Sequence, residues 1–265
     1  MRWSIGERSP ETERRLGELL GLPPLVAAAL VARGLEDPDE ARRFLDPRLD
    51  ALGDPALLPD YRPAADRLLK ARERGELVFV HGDYDVDGVT STALFGRFLE
   101  KGGWRVAVHV PHRMKEGYGI HRMAVDAAAD AGATVFLTCD CGVSAHEQVA
   151  YAKERGMDVV VTDHHHVPEI LPGAVAVINP HRDDSRYPFA DLAGVGVVFR
   201  FCEGLAREIG ASVDGYRDAY LDLARQAVAA RKKVAAVEFA KADAYHLPFE
   251  ADGFDVVWCA QSLIS

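Results

Sequence analysis

From residue 77 onward, short valine-rich runs alternate with longer amphipathic stretches, and this alternation constrains the fold more than any other feature of the chain. Residues 77–81, 105–110, 134–138, 158–162 and 174–178 read as short strands buried on both faces. Residues 89–101, 121–131 and 144–155 read as helices between them. Ser144 with Glu147 three residues on has the spacing of a capping box, which predicts a helix start just after 138–143. The alternation predicts an α/β fold: a mostly parallel sheet with crossover helices on both faces.

Two other textures flank this region. Residues 1–76 are helical in pattern and rich in charge, with amphipathic stretches at 11–20 and 39–45 broken by Pro23, Pro24, Pro38, Pro47, Pro55 and Pro59. Beyond about residue 223 the sheet pattern stops. Residues 224–241 form a helix-like Ala/Val/Lys/Arg run, and 254–258 have the look of a strand. The expected division is therefore an N-terminal helical segment (1–76), an α/β domain (77–223) and a separate tail (224–265).

Composition narrows the function classes. No run of 18 apolar residues occurs, and the first residues lack the apolar core of a signal peptide, so membrane insertion and secretion are not expected. Four cysteines in 265 residues make no disulfide framework, which points to the cytoplasm. The formal net charge of −10 argues against coating nucleic acid by charge alone. It leaves open an enzyme that grips phosphate through metal ions.

Ligands of open α/β sheets bind beyond the carboxyl ends of the strands, and acidic and imidazole residues collect there. His81-Gly82-Asp83-Tyr84-Asp85-Val86-Asp87-Gly88 follows the first strand, Cys139-Asp140-Cys141-Gly142 the third, and Asp163-His164-His165-His166 the fourth. Each stretch alone has an ordinary reading: a calcium loop or surface turn, a strand end with inert buried thiols, a solvated histidine loop. The calcium loop lacks its position-12 glutamate, since Leu94 stands there. Three such stretches on one rim point instead to a dinuclear site. Oxygen-rich ligation with one or two imidazoles suits Mn²⁺ or Mg²⁺ better than Zn²⁺. Asp140, between the other two groups, is the natural bridging ligand for an in-line phosphoryl displacement.

These motifs resemble those of the RecJ single-stranded-DNA exonucleases in the DHH phosphoesterase superfamily. The resemblance rests on 81–88 with Val89-Thr90-Ser91-Thr92, Pro111-His112-Arg113-Met114-Lys115-Glu116-Gly117-Tyr118-Gly119, Thr138 to Gly142, Thr162 to His165, and Leu192-Ala193-Gly194-Val195-Gly196. Arg33-Gly34, Phe44-Leu45-Asp46-Pro47 and Asp54-Pro55 extend it to the N-terminal stretch. It implies 5′→3′ hydrolysis of single-stranded DNA in repair and recombination, with single-stranded-DNA-binding protein and recombination helicases as partners. Asp85 and Asp87 would each bind one metal, Asp140 would bridge, and His164 would complete one shell. Asp163 and His165 would orient ligands and contact the scissile phosphate, completing a catalytic group of Asp140, Asp163, His164 and His165. Arg113 would contact substrate phosphate, and His81 and Asp83 stand beside the first pair. Gly194 and Gly196 are expected to permit close helix packing.

The pattern fails near residue 223. Such proteins continue with a Gly-Thr-x-Ala-Asp segment whose aspartate is a further metal ligand. Here no acid lies between Asp222 and Glu238, and Arg231 falls where that aspartate is expected. A cation there would weaken one metal site. The DNA-clamping domain and the nucleic-acid-binding barrel are also expected to be missing. The tail instead resembles a piece of a class I S-adenosylmethionine-dependent methyltransferase, with Ala242 to Phe249 as the adenine-side loop, Asp243 its adenine contact, and 254–258 its fourth strand. It lacks the glycine-rich loop, so no methyl transfer is expected. The reading is thus a RecJ-like exonuclease impaired in this chain, with a non-catalytic remnant or a small-substrate DHH phosphoesterase as alternatives.

Overall fold

The structure, a computed structural model, describes residues 9–46, 52–217 and 219–220. The tail with Asp222, Arg231 and Asp243, its expected helix and its expected strand lie outside the described residues, as does Pro47. The chain divides into two compact units, Met1–Val213 and Asp214–Ser265. The elements below belong to the first.

Five parallel strands form one sheet: β1 (Leu77–His81), β2 (Arg105–His109), β3 (Ala133–Cys139), β4 (Asp158–Thr162) and β5 (Ala176–Ile178), in the order β2-β1-β3-β4-β5. Helices accompany them: α1 (Pro10–Leu20), α2 (Pro24–Val31), α3 (Pro38–Leu45), α4 (Tyr61–Arg74), α5 (Val86–Lys101), α6 (Arg122–Asp130), α7 (His146–Glu154) and α8 (Gly194–Glu208). The strand order reverses beside β1, whose neighbours are β2 on one side and β3 on the other. That is the switch point at which such sheets open a crevice for ligands.

Side-chain alternation explains the burial of both faces. Phe79, Phe136, Val159, Val161 and Val177 join Val125, Ala128, Val149 and Ala152 of α6 and α7 in one cluster. The alternate residues Val78, Val80, Val135, Leu137 and Val160 are buried as well. On the other side α5 packs against α8, and Phe201 of α8 meets Phe95 and Tyr61 edge-on at 5.8 and 5.6 Å.

Three expectations need correction. The prolines of the N-terminal stretch start helices rather than break them: Pro10, Pro24 and Pro38 sit in the first turns of α1, α2 and α3. Proline's missing N–H costs nothing there, and its fixed φ suits the helix. Asp37 caps α3 by accepting from the N–H groups of Asp39 and Glu40 at 2.9 Å. The capping box at Ser144 does not form. α7 begins at His146, with no side-chain cap. The loop before it is committed elsewhere, because Val143 N–H donates to Asp163 and Ala145 N–H to Gly142. Finally, the pattern between 178 and 223 predicts no helix, and α8 forms there, with its apolar positions packed on α5.

Candidate metal centre

Each sequence motif sits at the carboxyl end of its strand. Downstream of β1 the chain turns sharply into α5. A Cβ at Gly82 would overlap the Thr92 hydroxyl, and one at Gly88 would approach the Asp83 backbone to 2.6 Å, so both positions require glycine. Asp85 caps α5 by accepting from Gly88 N–H at 2.9 Å, and Asp87 lies in its first turn. Both carboxylates therefore gather at the N-terminal end of α5. Asp83 is buried, and its Oδ1 has no hydrogen-bond partner. Burial first, then the nearby Asp85, raises its pKa.

Asp140 follows β3 in a left-handed conformation, with φ 60°. It is 1% exposed, and neither carboxylate oxygen accepts a hydrogen bond in good geometry. Burial pushes its pKa up to about 6, against the opposing pull of His164. His164 Nε2 lies 3.0 Å from Asp140 Oδ1 and 3.6 Å from Asp87 Oδ2. The Asp140 contact raises the His164 pKa in turn, so the pair readily shares a proton.

Asp163 lies underneath. Its Oδ1 accepts from the N–H groups of His164 (2.7 Å) and His165 (3.1 Å) and meets the His165 ring Nδ1 at 2.7 Å. Its Oδ2 accepts from Val143 N–H at 2.9 Å. Burial alone would raise its pKa, but these bonds hold it below the usual carboxylate range. The same Asp163 bond pushes His165 up to about 9, so its half-exposed ring is cationic at neutral pH.

The donor atoms form two groups of three, each spanning no more than 4.8 Å: Asp83, Asp85 and Asp140, and Asp140, His164 and His165. Asp140 belongs to both. Asp87 stands beside them with its carboxylate engaged by α8, accepting from Gly194 N–H and Val195 N–H at 2.7 Å each. Hard oxygen donors with imidazole, several of them buried without partners, fit Mn²⁺ or Mg²⁺.

The remaining residues lie around this rim. Burial drives His81 down to about 4, so its ring is neutral. Its Nε2 meets Gly119 O at 3.2 Å, while Nδ1 is buried and unpartnered. Arg113 is on the exposed loop between β2 and α6, with its guanidinium 5.2 Å from the Tyr84 ring centre. Gly194 comes so close that a Cβ would stand 2.5 Å from Asp140 Oδ1, whereas at Gly196 the nearest atom, from Leu192, would be 3.4 Å away. Two features escaped the sequence reading. Tyr118, inside a quoted motif, stands edge-on to His165 with its hydroxyl 3.3 Å from Nδ1. The start of α8, marked only by its glycines, supplies the amides that hold Asp87.

The model of the DHH family, N-terminal domain, matches residues 77–228. The chain belongs to the DHH family. It is similar to the single-stranded-DNA-specific exonuclease RecJ of Bacillus subtilis (38% identical over 209 residues, 79% of this chain and 27% of that one). RecJ of Dickeya dadantii is 40% identical over 193 residues, 72% of this chain and 32% of its own. The chain thus spans about a quarter to a third of the length of the curated relatives it matches. Among solved structures, Thermus thermophilus RecJ in complex with Mn²⁺ superposes with a TM-score of 0.61 at 30% identity, covering 83% of this chain and 31% of that one. A manganese-bound exonuclease RecJ gives 0.55 at 34%, covering 62% and 42%. A methyltransferase-domain model matches residues 193–264. The first part of that match is α8, which here packs on α5 and anchors Asp87 of the DHH site.

Proposed function

We propose that this chain carries the catalytic core of a RecJ-like exonuclease that hydrolyses single-stranded DNA from the 5′ end with Mn²⁺ or Mg²⁺. The position of Asp140 carries the reading: this buried carboxylate groups with Asp83 and Asp85 on one side and stands 3.0 Å from His164 on the other, where a ligand shared by two ions would stand. Asp85 and Asp87 would hold one ion each, with Asp83 and His81 beside them, Asp140 between, and His164 closing one shell. Bound there, the ions supply an acidified water and positive charge for the phosphoryl oxygens. The chain's own part is to orient and neutralise. Asp163 fixes the direction of His165 and favours its protonated form, and the cationic ring would then meet a phosphate oxygen. Arg113 offers a bidentate fork to a second phosphate from its exposed loop. Single-stranded DNA is the substrate on this reading, with single-stranded-DNA-binding protein and recombination helicases as partners, and the cytoplasm as location. Among the described residues no helix is long and apolar enough to cross a membrane. We place the domain division at 1–76, 77–223 and 224–265.

A second reading, a core with impaired turnover or none, is favoured by one sequence observation: Arg231 stands where a metal-ligating aspartate is expected, and no acid lies between Asp222 and Glu238. One experiment separates the two. Release of 5′ mononucleotides from a labelled single strand is followed with Mn²⁺, alongside calorimetric titration of the metal, for the wild type and Asp140→Ala. Two sites per chain and turnover that Asp140→Ala abolishes support the exonuclease. One site and a rate equal to the variant's support the remnant.

A further inference from the structure

We infer that Asn179 is a positioning residue for His165, holding the phosphate-facing imidazole through its main chain. The inference rests on the role proposed for His165 and concerns a residue outside the motifs.

The backbone ladder between β4 and β5 runs out just where the site begins. Its last main-chain rung joins Asp163 N–H to Ile178 O at 3.0 Å. Beyond it, the Asn179 side chain replaces the backbone: Nδ2 donates to His165 O at 2.9 Å, while Oδ1 accepts from His181 N–H at 2.9 Å. The second bond fixes which way the amide points, because a main-chain N–H only donates. The oxygen must face His181, so the NH₂ must face His165. Pro180 adds a backbone constraint, since the residue before proline is confined to extended conformations. The whole side chain is 0% exposed, so water cannot replace either bond without opening the strand end.

His165 is thereby held on both sides of its Cα. Its N–H is on Asp163, its carbonyl on Asn179, and its ring Nδ1 again on Asp163. With the main chain fixed, only two side-chain torsions remain, and Asp163 and Tyr118 border the ring. Removing Asn179 frees the carbonyl and lets the peptide rotate, which swings the ring away from Asp163. Asparagine alone meets both demands. Aspartate would keep the turn to His181 but would set an oxygen against the His165 carbonyl, and alanine would lose both bonds.

The test uses the full chain labelled with ¹⁵N-histidine. The imidazole N–H signal of His165 is assigned by its absence in His165→Gln. Asn179→Ala and Asn179→Asp are both expected to lose or shift that signal while leaving the backbone amide signal of His146, bonded to Ser144 O, in place. In parallel, kcat on a single-stranded oligonucleotide should fall about tenfold to a hundredfold, as for a misplacement near 1 Å, with KM within about twofold. Asn179→Asp retains the turn and keeps the question open to measurement if the alanine variant does not fold. Should the His165 signal persist in the aspartate variant while only the melting temperature falls, Asn179 is a structural rung and the inference is wrong. If the wild type shows no turnover, the exonuclease reading fails, and the His165 signal still decides the role of Asn179.

Discussion

Asp140 is a carboxylate in a place that only a cation makes comfortable. It is buried, left-handed, crowded by the start of α8 and short of donors, and burial lifts its pKa to about 6. The same proton is attractive to its neighbour His164, whose pKa is raised by Asp140. In the metal-free protein both shifts have one sign. Each group binds its proton more tightly folded than unfolded, so between the ordinary carboxylate range and about pH 6 stability falls as pH rises. A metal must displace that proton. Mn²⁺ affinity is therefore expected to increase with pH up to about 6 as Asp140 ionises, and to go on rising above the ordinary imidazole range as His164 loses its proton, with proton release on binding. Calorimetry in buffers of different ionisation enthalpy reads the released protons directly. Affinity independent of pH between 5 and 7 would show that Asp140 is not a ligand.

At the scale of elements, the sheet is clamped at the end opposite the metal centre. Arg67 of α4 donates from Nε to Asp158 at the start of β4, and from Nη2 to Glu76 just before β1 and to Thr134 O in β3. One side chain thus ties a helix of the N-terminal stretch to three strands. Removing one partner of such a pair leaves a charge uncompensated. Arg67→Met is expected to lower stability by about 3 kcal/mol, read by urea denaturation, with Asp158, half in solvent, contributing little of it. The site lies at the other ends of these strands, so Mn²⁺ stoichiometry should not change. A loss of metal binding in the folded variant would contradict the separation of clamp and site. This clamp was invisible in the sequence. The strands were legible because burial on both faces demands runs of Val and Phe, and their acidic ends were legible because no core needs carboxylates there. α4, with Arg62, Pro63, Asp66, Lys70 and Arg72 in its sequence, carries too much charge to show its apolar stripe. Its partner Asp158 is 91 residues away. Gly194 and Val195 were likewise legible as a motif but not as donors to Asp87, 107 and 108 residues upstream.

For the whole molecule, the net charge of −10 and the proposed metal centre make opposite demands on the single-stranded DNA proposed as substrate. Long-range repulsion disfavours approach, so attraction must be short-ranged, through bound ions and a few cations on the rim. Binding of single-stranded DNA by the full chain should then depend on Mn²⁺ and only weakly on salt. Each phosphate neutralised by a protein cation contributes a slope of about −0.7 in log K against log salt for single strands. Arg113 and His165 together give a slope of about −1.4, and Arg113→Ala should flatten it by about 0.7. Fluorescence anisotropy with a labelled 5′-phosphorylated strand, over a range of KCl with Mn²⁺ fixed, measures both values. Binding that persists undiminished in EDTA, or a slope steeper than about −4, would mean that a broad cationic surface grips the strand and the metal centre is not the anchor. A shallow slope lost together with the metal would place recognition at the β1/β3 crevice, where the strand order of this sheet opens it.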